Sequence, residues 1–203
     1  MNQRFLRHLA HIIIVILTGV LASCATRTLP PLLPQFQPVP GPRGDEEPPD
    51  DVSYWDGDGI SGPPKIIIRQ LEQKAYFYKG EHLVGVARIA SGKEGHRTPN
   101  GNYHIIRKDR FHKSAIYGWN YDAMGNVVNF DADSRKDRPP PGGHFDGAEM
   151  FYFMEITPGI GMHKGKIPRP GQTESHGCIR MKEFMAAAFW ANTTIGTPVT
   201  VMP

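Results

Sequence analysis

Two stretches near the C-terminus carry residue types that can do nucleophilic chemistry: "GIGMHKG" (159–165) and "TESHGCIRM" (173–181). Cys178 is one of two cysteines in the 203-residue chain; the other is Cys24. The thiolate is the nucleophilic form of cysteine, and a free thiol titrates near pH 8.5, so a neighbouring base must help make it at neutral pH. Three histidines are candidates. His176 lies two residues before the cysteine and shares its face on an extended segment. His163 lies fifteen positions upstream, and His112 sits in "DRFHKS". Residue types and spacing leave the choice among them open. Gly177 lets the backbone turn sharply beside the thiol and leaves room for a substrate carbonyl. Backbone N–H groups there can form an oxyanion hole. Together these residues suit acyl transfer through a thioester. A zinc site built from His163, His176 and Cys178 is the competing chemistry. Its H-x12-H-x-C spacing lacks the paired ligands of structural zinc, and no second cysteine is at hand. Neither a metal nor a cofactor is expected.

The N-terminus bears on the compartment. "MNQRFLRHLAHIIIVILTGVLASCA" starts with Arg4 and Arg7, continues with an apolar run and ends in small residues, the pattern of an export signal. The apolar run is too short for a bilayer, which takes about 20 residues. "LASC" (21–24) resembles a lipobox, which makes residues 1–23 the expected signal peptide and Cys24 the expected lipidation site. Ala25 behind it leans towards outer-membrane sorting. A lipidated Cys24 leaves Cys178 as a lone thiol in an exported protein, which marks it as reactive. The formal charge of +3 includes Arg4 and Arg7, and no basic stripe interleaves with aromatics, so nucleic acid is not an expected partner.

The elements that must position these residues follow the linker. Residues 24–63 are dense in proline with an acidic cluster, a composition suited to an extended spacer. Asp56-Gly57-Asp58-Gly59 reads as turns, because the remaining ligands of a calcium loop are missing. From residue 64 to 203 the chain reads as one mainly β domain. "KIIIRQ", "KAYFYK", "HLVGVARIA", "NYHIIRK", "EMFYFMEIT" and "TPVTVM" are strand candidates. "EFMAAAFWAN" (183–192) is the clear helix candidate. Residues 109–148 are long, polar and rich in Gly, Pro and Asp. They read as a functional loop, a lid or substrate wall, with a small hairpin around "AMGNVV".

Taken in order, these pieces resemble the L,D-transpeptidases of the YkuD type. The likeness covers about residues 64–202. It rests on the opening strands with Thr98-Pro99-Asn100-Gly101, on K-x-x-x-H-x-S-x-x-Y from Lys108 to Tyr117, on His163 with S-H-G-C-x-R at 175–180, and on the closing "GTPVTVM". The resemblance implies an α+β fold, a β-sandwich with one or two helices. It implies Cys178 as nucleophile and His163 as base and acid. It implies Ser175, His176 and Gly177 as the active-site and oxyanion loop, with Arg180 orienting loop or substrate. The implied substrate is the peptidoglycan tetrapeptide stem: D-alanine leaves, a thioester forms, and an amine of another stem gives a 3→3 cross-link. Water as acceptor gives a carboxypeptidase. Linking or cutting a wall-attached protein would use the same thioester, and a silent wall-binding lipoprotein is the non-enzymatic alternative. The sequence departs from the common pattern in having Lys164, not glycine, directly after His163, with Gly165 one position later. The third catalytic element, in the family often a backbone carbonyl or hydroxyl near that histidine, is not identifiable from sequence.

Overall fold

The structure is a computed structural model and describes residues 48–203. The expected signal peptide 1–23, Cys24, Ala25 and the linker as far as residue 47 lie outside the described residues. Thirteen strands and one α-helix occur among the described residues. β1 (Tyr54–Trp55), β2 (Pro64–Arg69), β3 (Lys74–Lys79), β4 (His82–Ala90) and β5 (Gly101–His104) come first. β6 (Arg107–Asp109), β7 (Lys113–Tyr121), β8 (Val127–Asp133) and β9 (His144–Glu149) follow. β10 (Phe153–Thr157), β11 (Ile160–Lys164), β12 (Ile179–Met181), α1 (Glu183–Ala191) and β13 (Pro198–Met202) complete the chain.

The large sheet runs β5-β13-β2-β3-β4-β12-β11-β10-β6, with β1 added beside β4. Alternation sets its inner face: Ile66 and Ile68, Ala75 and Phe77, Val199 and Val201 are buried at every second position. One core holds these together with Met154, Ile156, Met162, Ile179 and Met181. Strands from both halves of the order therefore face one another, so the sheet folds over as the two layers of a sandwich. The nine-residue β4 belongs to both halves, pairing with β3 along most of its length and with β12 at Ile89 and Ala90. Helix α1 adds Met185, Ala186 and Phe189 to the core. The Phe189 ring meets Phe77 edge-on at 4.9 Å, and Phe77 meets Trp55 at 5.1 Å.

Residues 48–63, assigned to the spacer on composition, pack on this unit. Trp55 is paired into the sheet through Gly85, Asp50 and Asp51 both reach Arg88, and Lys182 Nζ donates to the Pro48 carbonyl at 3.2 Å. The domain thus begins ahead of residue 64. Region 109–148 also differs from its reading as a loop. It forms a three-stranded antiparallel sheet in the order β8-β7-β9. Its β7–β8 turn falls at the expected hairpin: Asp122 Oδ1 accepts the amides of Met124 and Asn126, each at 2.9 Å. Nor is "EMFYFMEIT" one strand. Glu149 ends β9, β10 starts at Phe153, and between them Tyr152 takes a positive φ of 58°.

Candidate active site

The loop before Cys178 is held from below by segment 91–98. The Ser91 carbonyl accepts the amides of Glu174 and Ser175, at 2.9 and 3.0 Å, and the Lys93 amide donates to the Ser175 carbonyl at 2.9 Å. Thr98 is buried at 2 % exposure. Its hydroxyl accepts from the Gly92 amide at 2.9 Å and donates to the Gly177 carbonyl at 2.7 Å. The threonine of the T-P-x-G turn is thus the anchor of the cysteine loop. Within the loop, Ser175 Oγ donates to the Cys178 carbonyl and accepts from the Gly177 amide at 3.0 Å. Gly177 sits at φ +117°, a conformation that side-chain-bearing residues avoid.

β11 and β12 run parallel, with Met162 opposite Ile179 and His163 opposite Arg180. Cys178 immediately precedes β12, so it shares the face of Arg180 and of His163. His163 is 5 % exposed, and its Nδ1 lies 2.6 Å from the carbonyl oxygen of Lys164. A carbonyl only accepts, so Nδ1 carries the proton and Nε2 is left with the lone pair. Burial, helped by the charges of Arg180 and His112 and opposed by the Lys164 carbonyl, pushes the imidazole pKa down to about 4. Burial pushes the Cys178 thiol up; the Gly161 N–H and Arg180 oppose this and Glu155 adds to it. Both groups are therefore neutral at rest. The thiol points to the Gly159 carbonyl at 3.6 Å.

Cys178, His163, His176, Ser175 and Arg180 line one cavity of about 1030 Å³. Its opposite wall is the small sheet, through Ser114, Tyr117, Trp119 and Glu149. A family model of the YkuD L,D-transpeptidase catalytic domain matches residues 63–201. The chain belongs to this family. Similar solved structures include an L,D-transpeptidase from Mycobacterium smegmatis, 16 % identical with a TM-score of 0.52, covering 70 % of this chain and 59 % of that one. An Enterococcus faecium L,D-transpeptidase is 20 % identical with a TM-score of 0.50, covering 70 % and 50 %. One from Xylanimonas cellulosilytica is 17 % identical with a TM-score of 0.50, covering 71 % and 62 %. At these identities the likeness is one of fold, and the chain spans about half to three-fifths of those proteins. No curated protein matches it.

The remaining residues of this YkuD domain's cavity have definite places. Arg180 lies over Gly165: a Cβ there would come within 2.8 Å of the arginine Cγ. The glycine one position late thus leaves room for the Arg180 stem. Lys164, in the departing position, turns its ammonium to Glu183 at 2.8 Å. His176 stacks on Tyr117 at 4.3 Å and 18°, meets His96 edge-on at 5.0 Å and lies 3.8 Å from Asp131. Burial lowers its pKa, with Lys93 in the same direction and Asp131 opposing. The histidine adjacent to the thiol is thus packed between loop and wall. Two partners escaped sequence reasoning. Glu155 accepts from Arg107 Nε at 2.7 Å and from the Gly159 amide at 2.8 Å, fixing the turn whose carbonyl meets the thiol. The Lys164 carbonyl that orients His163 is the other.

Proposed function

We propose that this chain is a cysteine-dependent peptidoglycan L,D-transpeptidase, exported behind the signal 1–23 and tethered to a membrane through lipid on Cys24. The observation that carries the catalytic reading is that Cys178, the free thiol among the described residues, lines the same cavity and shares the strand face of a buried imidazole whose Nδ1 is pinned by the Lys164 carbonyl. His163 Nε2 takes the Cys178 proton as sulfur attacks the carbonyl between the third stem residue and the terminal D-alanine. The Gly177 amide is engaged by Ser175 Oγ. The Cys178 N–H is therefore the donor assigned to the oxyanion. The C–N bond breaks, His163 returns its proton to the departing amine of D-alanine, and the acyl group remains on sulfur. An amine of a second stem resolves the thioester to a 3→3 cross-link. Arg180, beside both reacting groups, offers its charge to a stem carboxylate.

The test is incubation with disaccharide-tetrapeptide and mass spectrometry of the products. D-alanine release with cross-linked dimer supports the reading. Tripeptide without dimer makes the enzyme a carboxypeptidase instead. No release, or equal release by Cys178→Ala, overturns it.

A further inference from the structure

A third imidazole faces the same cavity, besides His163 and the His176 ring stacked on Tyr117. His112 precedes β7 and lines the cavity wall. Its Nδ1 lies 3.3 Å from Asp109 Oδ2, and a carboxylate accepts, so Nε2 is free to take a proton. The ring stacks on Phe153 at 4.3 Å and 19°, and the His163 ring lies 6.3 Å from the same phenylalanine. The two imidazoles are close enough for the charge of His112 to weigh on His163 and on Glu155. Arg107 completes the surroundings, 3.8 Å from Asp109 and bonded to Glu155. The His112 side chain is 20 % exposed, so it can exchange a proton with water, which the buried His163 does poorly.

The second half-reaction needs such a group. After D-alanine leaves, His163 is neutral again, but the incoming amine arrives as an ammonium with a pKa near ~10. That extra proton has to leave for water, and His163, 5 % exposed, is shut off from it, whereas His112 is not. A cavity of about 1030 Å³ has room for an acyl chain and an acceptor together.

We propose that His112, oriented by Asp109, is the base that deprotonates the acceptor amine; this rests on the thioester reading above. Nε2 of His112 takes one proton from the ammonium and passes it to water. The amine nitrogen bonds to the thioester carbon, and the C–S bond breaks. A second amine proton goes through His163 to the sulfur, and the third stays on the new amide.

The experiment compares wild type, His112→Gln and Asp109→Asn in three readings. These are acylation by a carbapenem followed by intact mass, the ratio of amine-captured to water-captured product from disaccharide-tetrapeptide, and capture by hydroxylamine, which is unprotonated at neutral pH. The expected result is a ratio lowered at least ~10-fold in both variants. Acylation should change far less, and hydroxylamine capture should stay at the wild-type rate. An unchanged ratio, or equal losses in all three readings, overturns the proposal. A wild type that forms no acyl-enzyme overturns the thioester reading beneath it.

Discussion

His163 Nδ1 lies 2.6 Å from the carbonyl oxygen of Lys164, its own neighbour in the chain. This contact fixes the tautomer and ring orientation that a base toward Cys178 needs, the role a third catalytic residue usually fills. On the proposed mechanism a backbone atom fills it here, and the Lys164 side chain is left to pair with Glu183.

The resting pair is neutral, which sets the reactivity of the thiol. Burial holds the Cys178 pKa above the ordinary thiol value and the His163 pKa at about 4. Alkylation by iodoacetamide should be slower at pH 7 than for an exposed cysteine, and should climb only above ~8.5. A reactive plateau between pH 5 and 7 would mean a thiolate–imidazolium pair and would contradict the account.

The same burial makes stability depend on pH. His163 has a lowered folded pKa, from 6.5 to about 4, so below 6.5 the unfolded chain binds a proton the folded chain refuses. Its contribution is fully present above 6.5 and is lost as pH falls towards 4, a total of about 3 kcal/mol. Denaturation midpoints at pH 4.5 and 7 should differ less in His163→Gln than in wild type. Equal differences would remove His163 as the cause.

Thr98 joins the Gly92 amide to the Gly177 carbonyl inside the molecule. Thr98→Val keeps the shape and leaves both partners unsatisfied, at a cost of about 1–3 kcal/mol each at most. Chemical denaturation should show the loss, and acylation of Cys178 should slow because the loop carbonyl is no longer held. A stable variant with normal acylation would deny Thr98 its anchoring role.

Tyr117 ties the small sheet to the cysteine loop through its stack on His176. Such a ring pair is worth about 0.5–1.5 kcal/mol, so Tyr117→Leu should slow acylation about 2- to 10-fold. Tyr117→Phe, which keeps the ring, should stay near wild type. Equal losses in both would assign the effect to the hydroxyl and its contact with Arg135.

What the sequence disclosed follows from what patterns can carry. β2, β3 and β13 show their alternation because one face is fully buried. The small sheet did not, because one face lines an open cavity and the other meets solvent. In β7 only Gly118 and Asn120 are buried, and neither is an apolar signal. The residues of the cysteine loop stood out as side chains at a fixed spacing. The Lys164 carbonyl could not, since every residue has one, and only the fold selects it. The Arg107–Glu155–Gly159 chain joins positions 48 and 4 residues apart and likewise needs the strand pairing of β6 with β10.

The most direct test is to quench the wild-type domain during turnover of disaccharide-tetrapeptide and map the acyl group by peptide mass spectrometry. The account predicts a labile acyl group on Cys178, formed with stoichiometric release of D-alanine and absent from Cys178→Ala. An acyl group elsewhere, or D-alanine release that survives Cys178→Ala, would contradict it.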